Sequence, residues 1–128
     1  MKIQPVVVVI DDDVAVLSAI EDILEAKTEF LVQTFRTYSE AMQMLSAGRV
    51  DIVIADIILG TDATGIDVCI AAVERHPQIA LILISADSAR DHGGYPLRTV
   101  CLRKPFSATE LMDAIAQAQE TSATTEQE

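Results

Sequence analysis

The chain has 128 residues, half of them hydrophobic, and 20 acidic against 9 basic side chains give it a formal net charge of −11. That length fits one domain able to bury a core without disulfide or metal, and the apolar content excludes general disorder. The acidic balance argues against a nucleic-acid surface, and no stretch has the length of a membrane span or the order of a signal peptide, so a cytoplasmic protein is expected.

Val6–Ile10 is a continuous apolar run, the pattern of a strand buried on both faces, and it leads straight into Asp11-Asp12-Asp13. Asp13 can cap a helix with Val16, Leu17, Ile20, Ile23 and Leu24 at helical spacing. Leu31–Phe35 reads as a second strand. Thr37-x-x-Glu40 is a capping box opening a helix through Met42 and Leu45, which Gly48 can close. Residues 52–55 form a third strand that stops at Asp56. Thr64-x-x-Asp67 starts the next helix, with Ile66, Ile70 and Val73 on one face and Pro77 just past its end. Residues 80–84 form a fourth strand stopping at Ser85, and residues 99–102 a fifth leading to Lys104-Pro105. Ser107-x-x-Glu110 opens a last helix through Leu111, Met112, Ile115 and Ala118. Residues 121–128 are polar and expected as a frayed, disordered tail after a domain spanning residues 1–120.

Strands alternating with helices imply right-handed βαβ units: an α/β fold with a parallel sheet covered on both faces. Between the fourth and fifth strands, Gly93-Gly94 and Pro96 leave room for about a turn or two of helix, so a shortened or irregular fourth helix is expected. Cys69 and Cys101 lack CxxC spacing and fall in a predicted helix and strand, which suits buried free thiols.

Strand ends on one edge of such a sheet converge, and ligands bind there. Carboxylates packed together raise one another's pKa unless a cation joins them. Mg2+ suits the position, since it takes oxygen ligands through few carboxylates plus waters and phosphate oxygens. A carboxylate beside it can attack phosphorus and form an acyl phosphate. Ser85 can donate to one phosphoryl oxygen and Lys104 can pair with another. The competing reading of Asp12 and Asp13 is helix capping at a positive helix end.

The motifs Val-Ile-Asp11-Asp12-Asp13, Asp51-Ile-Val-Ile-Ala-Asp56-Ile-Ile-Leu, Ile84-Ser85-Ala86 and Lys104-Pro105-Phe106 resemble those of receiver domains of two-component response regulators, over roughly residues 5–119. The resemblance implies a flavodoxin-like, doubly wound, five-stranded sheet of order 2-1-3-4-5. It implies Asp56 as phosphoacceptor, with Asp11, Asp12, Asp56 and the main-chain carbonyl of Ile58 holding Mg2+. Ser85 takes the family's hydroxyl position, Lys104 its lysine, and Ala86 leaves the phosphoryl group room. The Lys104–Pro105 bond is often cis in such domains. A histidine kinase or phosphotransfer protein is the implied donor, and a downstream protein the implied partner. No direct nucleic-acid or membrane binding is expected.

Three departures bear on output. Cys101 stands where the family usually has Tyr or Phe as a rotameric switch, and reads as a small hydrophobe in a buried strand. The Ser85-to-Lys104 interval is about three residues short of the family pattern, which should remodel a surface that commonly serves partner binding or homodimer formation. Tyr95 within it is expected to pack over the sheet. The loop after Asp56 has Gly60 where the family often has proline, and Gly65 falls nine residues after the acceptor, so the loop is one residue longer. Asp62 in that loop reads as solvated. Ile58 cannot position an attacking water, whereas Asp87 is a candidate to do so.

Other readings compete. A receiver-like module that binds proteins without phosphorylation fits the departures, but not the intact Asp11, Asp12, Asp56, Ser85 and Lys104. A Mg2+-dependent phosphatase with an aspartyl nucleophile fits Asp11-x-Asp13, but lacks a cap domain and has Ala15 where that family favours Thr or Val. Flavin phosphate would need a hydroxyl- and amide-rich loop after the first strand, not three aspartates.

Overall fold

The computed structural model describes residues 4–60, 63–86 and 93–127, with side chains described through Ser122. Five strands, β1 (Val6–Ile10), β2 (Leu31–Phe35), β3 (Ile52–Asp56), β4 (Ala80–Ser85) and β5 (Val100–Arg103), form one parallel sheet of order β2-β1-β3-β4-β5. The helices are α1 (Val14–Lys27), α2 (Tyr38–Ala47), α3 (Gly65–Arg75) and α4 (Ala108–Gln127).

Strand alternation divides the core. Val7, Val9, Ile54 and Ile82 face α1 and α4, where Ile20, Leu24 and Leu111 meet them. Val8, Ile10, Val53 and Leu83 face α2 and α3, where Leu45 and Val68 meet them. Both faces are covered, so the central strands read as unbroken apolar runs rather than alternating ones. Complete burial of a Leu or Ile side chain stabilises by about 1.5–3 kcal/mol. This two-sided core therefore holds the strand ends in place.

Caps fix where the helices begin. Asp13 Oδ1 accepts from Ala15 N at 2.9 Å, and Thr37 Oγ1 accepts from Glu40 N at 3.2 Å. Both halves of the box are made at Thr64 and Asp67. They are made again at Ser107 and Glu110, where Ser107 N donates to Glu110 Oε1 at 2.9 Å and Glu110 N to Ser107 Oγ at 3.0 Å. Gly48 closes α2, but with φ −156°, in extended backbone rather than the left-handed turn that favours glycine.

Two expectations meet the structure differently. Helix α4 continues through residues expected as a frayed tail and reaches Gln127. Ser122 is buried there and its hydroxyl donates to the Gln78 carbonyl, while Thr121 Oγ1 donates to Gln117 O at 2.9 Å. Cys101 is exposed, not buried. It alternates with Val100 and Leu102, which face α1 and α4, on an edge strand whose other face no described helix covers. The shortened or irregular fourth helix lies partly outside the described residues. Within residues 93–99 there is no helix, and Gly93 and Gly94 turn the chain at φ +62° and +81°. Tyr95 packs against the core on the α2–α3 side, as expected of a loop tyrosine over the sheet.

The far edge of the sheet is stitched by Asp51. Its Oδ2 accepts from Val6 N at 2.7 Å, its N–H donates to Val6 O at 2.9 Å, and its carbonyl accepts from Ala80 N at 3.0 Å. One residue thus ties β1, β3 and β4, and Arg49 pairs with its carboxylate at 3.0 Å.

Candidate functional site

The carboxyl ends of β1, β3, β4 and β5 meet in a cleft of about 170 Å3 lined by Asp12, Asp56, Ile57, Ile58, Ser85, Ala86 and Lys104. Backbone bonds set the strand ends level. Ile57 N donates to Ile84 O at 2.9 Å, and Lys104 N donates to Ser85 O at 2.8 Å. The second bond brings the β5 end against the β4 end and places Lys104 beside Ser85. The Lys104–Pro105 peptide is cis.

One carboxylate oxygen from each of Asp11, Asp12 and Asp56 lies within 4.8 Å of the others. Asp11 and Asp56 are nearly enclosed, at 1% and 7% exposure, while Asp12 is exposed at the rim. Asp13 stays out of this cluster and caps α1, but its N–H donates to Asp11 Oδ1 at 2.9 Å. Lys104 Nζ sits 2.7 Å from Asp56 Oδ2 and 3.4 Å from Asp11 Oδ2. Ile58 N donates to Asp56 Oδ1 at 3.2 Å.

The electrostatics follow from enclosure. Burial pushes the Asp11 carboxyl up to about 6; the Asp13 N–H opposes this and the Asp56 charge adds to it. Burial works against a charged Lys104, but its hydrogen bond to Asp56 and the charges of Asp11 and Asp56 outweigh it and raise its pKa. One ammonium group therefore serves two buried carboxylates. Asp11 Oδ2 is buried and accepts no hydrogen bond. A buried carboxylate oxygen left this way is costly, and a second cation would relieve it. The donors facing the cluster are all oxygens, with no thiol or imidazole among the described residues, which fits a hard divalent ion such as Mg2+.

Ser85 is the buried last residue of β4 and lines the same cleft as Asp56 and Lys104. Ile58 is bridged to Thr64 by an antiparallel pair, and its side chain, 60% exposed, stands out toward solvent. The sequence expectation thus brings Asp11, Asp12, Asp56, Ile58, Ser85 and Lys104 into one place. Asp62 and Asp87 lie outside the described residues. Sequence reasoning missed the reach of Lys104 to Asp11 as well as Asp56. It also missed the contact between Gly65 and the Asp56 backbone, for which the glycine alone was the signal.

A larger cleft of about 690 Å3 opens at the opposite edge of the sheet, beside Arg49, Arg75 and His76. Its carboxylate, Asp51, is committed to Val6 N and Arg49, so volume there is not matched by convergent reactive groups.

The family model of the response regulator receiver domain matches residues 7–116. The C4-dicarboxylate transport transcriptional regulatory protein DctD of Rhizobium meliloti (strain 1021) is 31% identical over 129 residues, covering 94% of this chain. The chain spans 26% of the length of that relative. A response regulator receiver protein from Sinorhizobium medicae WSM419 superposes with a TM-score of 0.84 at 27% identity, covering 93% of this chain and 97% of that one. A CheY-like receiver domain from Methanospirillum hungatei JF-1 gives 0.81 at 19% identity, over 96% and 99% of the two chains, and speaks for the fold alone. The sheet order, the acidic cluster at its carboxyl edge and the match over nearly the whole chain agree: this chain belongs to the response regulator receiver domain family.

Proposed function

We propose that the domain is a signalling phosphoacceptor. Asp56 takes a phosphoryl group from a histidine kinase or phosphotransfer protein with Mg2+ present, and the modified domain changes its binding to a downstream protein. The observation that carries this reading is the pairing of a nearly enclosed Asp56 with Lys104 at 2.7 Å inside a cluster of three carboxylates.

The chemistry follows from the groups in the cleft. An Asp56 carboxylate oxygen attacks phosphorus, forming an acyl phosphate as the bond from phosphorus to the donor imidazole breaks. The imidazole leaves with the electron pair and takes a proton from solvent. Asp11, Asp12, Asp56 and the Ile58 carbonyl would hold Mg2+, whose charge neutralises the phosphoryl oxygens. Lys104 exchanges its carboxylate partner for a phosphoryl oxygen, and the Ser85 hydroxyl donates to another. Ala86, lining the cleft, adds no bulk. The new charge draws Ser85 and Lys104 inward and shifts the populations of the connecting loops. Such a domain transmits signals and catalyses only its own phosphorylation and dephosphorylation. Its donors place it in the cytoplasm, and its output surface serves a protein partner or a second copy.

Incubation with acetyl phosphate and Mg2+ tests this, read by intact mass. The wild type gains a phosphoryl group and Asp56→Asn does not. No gain in the wild type would leave the phosphorylation-independent binding module as the reading.

A further inference from the structure

Asp56, Ile57 and Ile58 supply the nucleophile and the carbonyl offered to the metal, and the start of α3 grips all three. A Cβ placed on Gly65 would lie 2.2 Å from the Asp56 carbonyl oxygen, 2.7 Å from its carbonyl carbon and 3.1 Å from Leu83 Cδ2. Carbon contacts settle near ~3.5 Å, and strand backbone has no rotamer by which to retreat. Gly65 is not among the glycines with positive φ. The demand for glycine here is therefore steric, set by the closeness of α3 to the acceptor.

Two further links act on the same three residues. Gly65 N donates to Ile57 O at 2.8 Å, and Thr64 is bridged to Ile58. Thr64 is held in turn by its reciprocal cap, with Thr64 N donating to Asp67 Oδ2 at 2.9 Å and Asp67 N to Thr64 Oγ1 at 3.3 Å. The loop between Ile58 and Thr64 is thus closed at its neck.

We propose that Gly65 is a positioning residue for the acid site: by lacking a side chain it lets α3 abut the Asp56 carbonyl, and this contact sets where Asp56 and Ile58 stand. The proposal rests on the metal-assisted phosphoacceptor reading above. It assigns Gly65 no contact with metal or phosphate. Its effect passes through the backbone of residues 56–58.

Calorimetric titration with Mg2+ of folded wild type, Gly65→Ala and Leu24→Ala tests it. Leu24 fills the core on α1, in the cluster on the other face of the sheet from Ile57, so its truncation lowers stability without opening the packing around residues 56–58. Gly65→Ala should bind Mg2+ about tenfold or more weakly, the range seen when groups that orient metal ligands are changed, and Leu24→Ala should bind as wild type. Equal affinity in Gly65→Ala, or equal weakening in Leu24→Ala, overturns the positioning role alone. No Mg2+ binding by the wild type overturns the parent reading along with it. If Gly65→Ala does not fold, Thr64→Ala loosens the same grip without adding atoms. Weakened binding that Thr64→Ser restores then supports the proposal, and unchanged binding in Thr64→Ala overturns it.

Discussion

Lys104 Nζ lies 2.7 Å from Asp56 Oδ2 and 3.4 Å from Asp11 Oδ2, so a single cation holds two enclosed carboxylates together. The two acids come from different strands. Lys104 comes from the residue after β5 and is brought in by its backbone bond to Ser85. A charge so placed stabilises the metal-free domain.

Replacing that cation should therefore be costly only while no other is present. Lys104→Met leaves Asp11 and Asp56 facing each other, and with Lys104 26% exposed a loss of about 1–3 kcal/mol is expected. Urea unfolding with and without saturating Mg2+ checks this. The deficit should shrink when Mg2+ is added, and an equal deficit in both conditions would refute the shared-counter-ion account.

Asp11 makes the metal-free domain favour mild acid. Burial holds its folded carboxyl up at about 6, above the ordinary value of 3.8, so between these values the native state binds more protons than the unfolded chain. Its contribution is fully present below about 4 and is lost as pH rises through about 6, worth ~1–3 kcal/mol. Asp11→Asn keeps an oxygen for the Asp13 N–H and removes the charge. The difference in stability between wild type and this variant, followed from pH 4 to 8, isolates the effect from other carboxylates. Near neutral pH the metal-free variant should be the more stable, and it should bind Mg2+ poorly.

The two cysteines should react very differently. Burial pushes the Cys69 thiol up to about 12, whereas Cys101 is exposed on the edge strand. A disulfide reagent should titrate one thiol in the native protein and two after unfolding. Mapping of the fast thiol to Cys69 would contradict the placement of β5.

Asp51 should matter to stability and not to the acid site. Asp51→Ala strands the Val6 N–H and frees Arg49, a cost of about 1–3 kcal/mol. Since Asp51 lies at the opposite edge of the sheet, Mg2+ affinity of the folded variant should match wild type. Paired melting and Mg2+ titration measure both halves of this prediction.

Strands were legible in the sequence because two covered faces demand unbroken apolar runs, as in Val6–Ile10. Helix starts were legible because Ser107 with Glu110 and Thr64 with Asp67 carry their caps locally. The site was legible because its residues sit at strand ends, and sheet topology gathers strand ends. Other features depend on contacts that local pattern does not carry. Cys101 reads as interior in Val-Cys-Leu, yet β5 is an edge with one face covered by described residues. Polar Thr121 and Ser122 read as tail, yet the Gln78 carbonyl receives the Ser122 hydroxyl and the helix continues. Gly65 reads as a loop glycine, yet its place is set by the Asp56 carbonyl against it.

The central claim is that Asp56, among the four aspartates that the described residues place around this edge, accepts the phosphoryl group. Borohydride reduces an acyl phosphate on aspartate to homoserine, which marks the residue permanently. After incubation with acetyl phosphate and Mg2+, reduction and peptide mass mapping, the account predicts homoserine at position 56 and unmodified Asp11, Asp12 and Asp13. Homoserine at any of those three in place of 56, or at none of the four, would contradict it.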